Sequence, residues 1–243
     1  MLRVHSVETF GTHEGPGIRL VLFLQGCNIR CLYCHNPDTQ NLDNPSAKDM
    51  PVAQVLELLK KEKPYFSRGG GLTVSGGEPT VQAEALVELF TAVKEAGYHT
   101  CLDTNGTIVS PLVKKLYDLT DLVLLDVKHI DESWHRKLTG SSNANTLAMA
   151  EYRESTGKPM WLRYVLVPGW SDQPEFLEAW AKHFSTYSTV EQVEILPYHT
   201  LGVYKYEGLG RKYELGNVEP PTPQQVDLAK TIFEKYLQNV AIQ

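Results

Sequence analysis

Apolar residues along this chain follow two alternating rhythms. Short, nearly continuous runs stand at about 18–25 (IRLVLFLQ), 71–75 (GLTVS), 99–103 (HTCLD), 121–127 (DLVLLDV), 161–167 (WLRYVLV) and 191–196 (EQVEIL). Between them lie longer stretches with apolar positions three to four apart: PVAQVLELLKKE, QAEALVELFTAVKEAG, PLVKKLYDLT, LAMAEYRESTG and PEFLEAWAKHFS. The first kind reads as strands and the second as helices, with Ser110-Pro111 and Asp172 as start signals and Gly97 and Gly157 as stops. A last helix, PQQVDLAKTIFEKYL, follows the proline-rich turn at Pro220, Pro221 and Pro223. Six successive βα units predict an α/β fold, a partial (β/α)6 TIM-like barrel with a parallel six-stranded sheet, open on one side. With no internal repeat, low-complexity tract or long linker, residues 1–243 are expected to form one domain.

In parallel βα architectures chemistry gathers where the strands end. The unusual polar residues fall in those places. A cysteine loop follows the first strand, SGGEP the second and Asp103-Thr104-Asn105-Gly106 the third. Asp126 and Lys128 close the fourth, Arg163 lies in the fifth, and Pro197-Tyr198-His199 follows the sixth.

The cysteine loop, GCNIRCLYCHNPD, places Cys27, Cys31 and Cys34 together with no fourth cysteine nearby. Three thiolates can each hold a corner of a cubane iron–sulfur cluster and leave one iron open, whereas a closed structural zinc site takes four protein ligands. A Cys3His zinc site completed by His35 is the competing reading, and a zinc-stabilised binding module would follow from it. Cys101 reads as a buried strand residue. The formal charge of −6 and the lack of a long basic run argue against nucleic-acid and membrane-surface partners. The start, MLRVHSVETFGTHEG, lacks the apolar run of a secretory signal, and cysteine usage suits a reducing compartment, so a cytoplasmic address is expected.

CxxxCxxC with Tyr33 before its last cysteine, followed by SGGEP after the second strand, resembles the radical S-adenosylmethionine enzymes. Finer motifs are similar to one member family, the pyruvate formate-lyase activating enzymes: GTHEGPGIR, QGCNIRCLYCHNPDT, TVSGGEPTVQ, HTCLDTNG, LVLLDVKH, WLRYVLVPGWSD and LPYHTLGVYKY. The likeness runs from about His5 to the region of Pro220. Other glycyl-radical activases often carry an extra cluster domain after the first cysteine motif, and no cysteine lies between His35 and Gly71 here. Glu14 stands where some relatives have aspartate.

The resemblance implies a [4Fe–4S] cluster on Cys27, Cys31 and Cys34, with S-adenosylmethionine on the open iron. It further implies a 5′-deoxyadenosyl radical that takes hydrogen from a glycine of pyruvate formate-lyase, with flavodoxin or ferredoxin as electron donor. Tyr33, Gly76, Gly77, Glu78, Asp103, Asp126, Lys128, Arg163 and His199 become candidate cofactor contacts. Gly76 and Gly77 would let backbone approach the ligand, and Glu78 would accept from the methionine ammonium. Against this stand a plain turn before Pro79, a structural ion pair for Arg163 and a structural role for His199. By resemblance Asp103, Thr104, Asp126 and the Leu124 carbonyl make a candidate monovalent-cation set, with Asp103 as a turn acceptor the alternative. The glycine-rich GTHEGPGIR segment is expected to lie across the open rim and receive the partner's glycine-bearing loop. Another glycyl-radical enzyme, or a small molecule, is the alternative substrate.

Overall fold

Every apolar run becomes a strand, and every predicted helix forms. The computed structural model describes residues 1–66 and 69–243. These residues group into two compact units, and the chain crosses between them several times. One comprises Met1–Asn28, Thr39–Thr104 and Ile108–Leu124; the other comprises Ile29–Asp38, Asn105–Thr107 and Leu125–Gln243.

The first unit contains β1 (Leu2–Gly11), β2 (Arg19–Leu24), β3 (Lys48–Met50), α1 (Val52–Glu62), β4 (Gly71–Gly76), α2 (Ala83–Glu95), β5 (His99–Thr104) and α3 (Pro111–Leu119), and most of β6 (Leu122–Asp126). Hydrogen-bonded strand neighbours run β3-β1-β2-β4-β5-β6. β2, β4 and β5 pair in parallel. Their nearly unbroken burial is what a sheet covered on both faces requires. Ser110 caps α3 as expected, its hydroxyl accepting from Val113 N at 3.1 Å.

In this unit two strands, β1 and β3, were not expected from the sequence. β1 alternates more buried with less buried positions and runs antiparallel to β2, with register shifts between Val4 and Ser6 and between Glu8 and Gly11. It covers the edge β2 would otherwise leave open, and β3 pairs with its far side. The Gln82 amide secures it by accepting from Arg3 N at 2.8 Å and donating to Arg3 O at 3.0 Å and Gln25 O at 2.8 Å.

This strand corrects the placing of GTHEGPGIR. Because β1 is antiparallel, the chain turns back at the amino end of β2, where Gly11 pairs with Arg19. The buried Arg19 guanidinium donates to Pro16 O at 2.9 Å, Gly69 O at 2.7 Å and Leu72 O at 2.7 Å, and its Nε donates to the Thr73 hydroxyl. Thr73 in turn donates to Glu14 O at 2.6 Å. Within this unit the segment therefore sits at the amino ends of the strands, opposite the ends that carry Cys27, Glu78 and Thr104.

The second unit begins with the last two residues of β6 and contains α4 (Glu132–Thr139), α5 (Ala144–Ser155), β7 (Met160–Leu166), α6 (Pro174–Phe184), β8 (Val190–Pro197), α7 (Val203–Gly208), α8 (Pro223–Glu234) and β9 (Val240–Ile242). From β6 its strand order is β7-β8-β9, and both β7 with β8 and β8 with β9 are parallel. Trp180 stacks on Phe233 at 4.8 Å and meets Tyr164 edge-on at 5.5 Å in its core. Asp172 does not cap α6. Gln173 holds that position, while Asp172 accepts from Gly169 N at 2.7 Å and so fixes the preceding turn. No helix among the described residues is long and apolar enough to cross a membrane.

α4 and α7 have little apolar rhythm to announce them. The buried face of α4 is His135, Leu138 and Thr139, and α7 buries only Tyr206. Asp131 caps α4 by accepting from Trp134 N at 3.0 Å. His129, fully buried, accepts at Nδ1 from Asp131 N at 3.0 Å, which leaves its hydrogen on Nε2. Burial pushes its pKa down from 6.5 to about 4, with a smaller push from His135 and an opposing pull from Asp131.

Arg19→Met should lower the free energy of unfolding by about 3 kcal/mol by stranding buried carbonyls, read as a lower urea midpoint at unchanged slope. His129 supplies a pH prediction. Its folded pKa lies below its unfolded value, so the unfolded chain takes up the proton first and stability falls as pH drops from about 6.5 to about 4. In urea titrations across that window, His129→Gln should show a shallower acid slope than the parent chain.

Candidate active site

The cysteine loop starts where β2 ends, and two neighbouring segments of the first unit grip its root. Gly26 N donates to Thr39 O at 2.7 Å and Cys27 N to Gln40 O at 3.1 Å. From the end of β4, Gly77 N donates to Leu24 O at 3.0 Å and Glu78 N to Gly26 O at 2.8 Å. A Cβ on Gly76 would overlap the Leu24 backbone, and one on Gly77 would overlap the Gly26 carbonyl. The close approach these glycines permit is thus to the cysteine loop's own backbone, where the sequence suggested a ligand.

Glu78 is fully buried, and its Oε1 accepts from Thr80 N at 3.0 Å, Thr80 Oγ1 at 2.5 Å and Thr104 Oγ1 at 2.7 Å. It caps the short 3₁₀ turn Pro79–Gln82, so the plain-turn reading is physically present. The same carboxylate ties that turn to the end of β5. Asp103 Oδ2 accepts from Ser75 Oγ at 2.6 Å. It is Asn105, in the second unit, that serves as the turn acceptor, taking Thr107 N at 2.9 Å and Thr107 Oγ1 at 2.6 Å. Leu124 is a core residue of β6, and Cys101 is fully buried in β5 as expected.

In the second unit, residues 29–38 are gripped by the two helices the sequence did not announce. Arg30 N donates to Thr139 O and Leu32 N to Leu138 O, both at 2.8 Å, at the carboxyl end of α4. From α7, Tyr206 donates to Cys34 O at 3.0 Å and Lys205 to Asn36 Oδ1 at 2.7 Å. Cys31 and Cys34 are partly exposed. Between them Tyr33 packs into a cluster with Leu138, Val167, Tyr198 and Leu215. Burial raises its pKa well above the ordinary value, against the pull of Lys128, whose Nζ lies 5.7 Å from the ring centre.

Lys128 pairs with Asp126 at 2.8 Å. Burial opposes its charge, but Asp126, Tyr33 and Cys31 outweigh that cost and hold its pKa well above the ordinary value. Arg163 Nε donates to Glu194 Oε2 at 2.8 Å across paired positions of β7 and β8, which realises the structural ion pair. Gln192 and Gln243 donate to the other Glu194 oxygen at 2.9 and 2.6 Å. His199 is exposed and meets the His35 ring edge-on at 3.9 Å. The His35 pKa is pushed down to about 4, by burial first and then by His199 and Lys205.

Among the described residues no group of three or more His, Cys, Asp or Glu side chains is placed to hold a single metal ion.

The residues sequence reasoning did not single out are Thr80, Glu194, Lys205 and Tyr206. Lys205 and Tyr206 lay within a quoted motif, LPYHTLGVYKY, but nothing in the sequence said that a segment some 170 positions later closes on the cysteine loop.

Comparison with known proteins agrees with the motif reading. The radical SAM superfamily model matches residues 21–179. A pyruvate formate-lyase-activating enzyme of Staphylococcus epidermidis is 47% identical over 92% of this chain and 91% of its own length. The enzyme of the same name from Streptococcus mutans is 44% identical over 98% of this chain and 94% of its own. Among solved structures, Streptococcus suis SuiB bound to precursor peptide SuiA superposes with a TM-score of 0.71 at 18% identity, covering 98% of this chain and 50% of that one. A domain of a pyruvate formate-lyase-activating enzyme from Bacteroides vulgatus gives 0.61 at 21%, covering 72% of this chain and 99% of that domain. These two likenesses are of fold, an α/β arrangement around a mostly parallel open sheet. With the family model across residues 21–179 and such relatives along nearly its whole length, the chain belongs to the radical SAM superfamily and, within it, to the pyruvate formate-lyase-activating enzymes.

Proposed function

We propose that this chain installs a glycyl radical on pyruvate formate-lyase, using a [4Fe–4S] cluster on Cys27, Cys31 and Cys34 with S-adenosylmethionine on the remaining iron. The observation that carries this reading is the donor set. Three cysteines lie within CNIRCLYC, while Cys101 is buried in β5. The residues present fit these groups. None of the four cysteines is in a disulfide, and the buried Tyr33 hydroxyl and His35 Nε2 have no hydrogen-bond partner among the described residues. Buried polar atoms of that kind call for one.

When bound, the cluster and S-adenosylmethionine supply one-electron reductive cleavage of a sulfonium carbon–sulfur bond and a 5′-deoxyadenosyl radical that takes hydrogen from a glycine α-carbon. The chain's residues bind, orient and shield. Tyr33, within its apolar cluster, keeps water from one side of the loop. Lys128, held charged by Asp126, offers a fixed cation for a carboxylate. The carboxylate of Glu78 is engaged with Thr80 and Thr104, so its motif acts through the backbone turn that Gly76 and Gly77 shape. Arg163, oriented by Glu194, and His199 are proposed contacts to the cofactor's methionine end or ribose. Asp103, Thr104, Asp126 and the Leu124 carbonyl are proposed as oxygen donors to a monovalent cation. A flavodoxin or ferredoxin is the proposed electron donor, in a cytoplasmic setting.

Anaerobic reconstitution should give a visible chromophore that bleaches on reduction. Mixing that protein with pyruvate formate-lyase, S-adenosylmethionine and reductant should produce a glycyl signal in electron paramagnetic resonance. Cys34→Ser should reduce the signal to background. A colourless reconstituted protein defeats the reading, and a signal on another glycyl-radical enzyme but not on pyruvate formate-lyase transfers the activity to that partner.

A further inference from the structure

Residues 30 and 32 are tied to α4, whereas residues 34–38 are tied to α7, and the two attachments differ in kind. α4 offers backbone carbonyls, while α7 reaches the loop through side chains. Tyr206 donates to Cys34 O at 3.0 Å. Lys205 Nζ donates to Asn36 Oδ1 at 2.7 Å and pairs with Asp38 Oδ1 at 3.3 Å. At the start of α7, Gly202 packs so closely on His35 that a Cβ would lie 2.6 Å from its carbonyl oxygen and 2.9 Å from its ring.

Tyr206 is itself fixed on every side. Its carbonyl accepts from Arg211 N at 2.8 Å, and the Arg211 guanidinium lies 5.4 Å from its ring centre. Its ring meets Tyr213 at 4.9 Å, and Tyr213 shares a 2.8 Å hydroxyl contact with Tyr198 in the cluster around Tyr33. A six-residue helix with one buried side chain adds little to a hydrophobic core and is too short to persist alone. Its polar contacts with residues 34–38 are therefore out of proportion to its share in the core.

Resting on the cluster reading above, we propose that α7 is a latch in which Tyr206 and Lys205 are positioning residues for Cys34, fixing the direction of its thiolate through the peptide that follows it. The physical link is short. The Cys34 carbonyl belongs to the same peptide plane as His35 N, so a hydrogen bond to that oxygen sets the rotation of the plane about Cys34 Cα and with it the Cα–Cβ direction. Supporting contacts of this kind set how well a ligand meets its metal.

The test uses the full chain, reconstituted anaerobically, as wild type and as Tyr206→Phe, Lys205→Met and Lys205→Arg. The readouts are the electron paramagnetic resonance spectrum of the reduced cluster, the rate of iron release to a chelator, and the thermal midpoint of the unloaded chain. Tyr206→Phe keeps the ring and loses the hydroxyl. It should shift the spectrum and speed iron release about five-fold, the weight of one hydrogen bond, with the unloaded midpoint unchanged. Lys205→Met should act in the same direction, and Lys205→Arg should restore release to within about two-fold of wild type by keeping a donor to Asn36 and Asp38.

Wild-type spectrum and release rate in both Tyr206→Phe and Lys205→Met overturn the latch while leaving the cluster reading intact. A lowered unloaded midpoint with an unchanged spectrum overturns it too, since the contacts then serve folding. If Tyr206→Phe does not fold, the Lys205 pair decides the matter alone. A wild-type chain that takes up no iron removes the cluster reading and the latch with it.

Discussion

At Gly76 and Gly77 the end of β4 runs so close to the end of β2 that no side chain fits between them, and the cysteine loop takes its starting direction from that contact. Two backbone hydrogen bonds cross the gap, from Gly77 to Leu24 and from Glu78 to Gly26. A methyl group at either glycine would force the two strand ends apart and break both. Glu78 then fastens the arrangement from below by gathering Thr80 and Thr104 on one carboxylate oxygen. Four chain segments, at the ends of β2, β4 and β5 and at residues 39–40, thus meet around the root of the loop, tied to one another by backbone and side-chain hydrogen bonds. That is the condition for a loop to hold a fixed shape in a buried place.

The remainder of the loop is fixed by a different device, because after Asn28 the chain passes into the second unit. There it borrows the last carbonyls of α4, which a helix end leaves without intrahelical partners. α7 completes the hold with a phenol and an ammonium. Several polar residues that looked like direct ligands are engaged in holding other residues still. Arg163 is bound to Glu194, whose second oxygen is occupied by Gln192 and Gln243, and Lys128 is bound to Asp126. Such pairing holds each charged group in one direction.

Legibility in the sequence differed between scaffold and site. The core strands β2, β4, β5 and β6 were visible because nearly all their positions are buried, so that each reads as a short apolar run. The cysteines and SGGEP were visible because glycine and cysteine at fixed spacing mark backbone approach and metal chemistry. β1 was hidden by its glycine-rich continuation, which suggested an irregular segment. α4 was hidden because its buried face holds a histidine and a threonine where a leucine rhythm would have announced a helix. Asp172 looked like a cap, yet its carboxylate is spent on the turn before the helix.

By itself the sequence determined which residues form strands and helices, that three cysteines follow one strand within a single short stretch, and which family the motifs resemble. Those properties depend on near neighbours along the chain, through side-chain burial pattern and spacing. Only the tertiary structure decided that GTHEGPGIR lies at the amino ends of the strands, that the glycines of SGGEP press on the loop's own backbone, and that α7 closes on Cys34 from far along the chain. Each is a long-range contact between polar or backbone groups. A hydrogen bond between residues so far apart leaves no periodic trace in the chain that makes it.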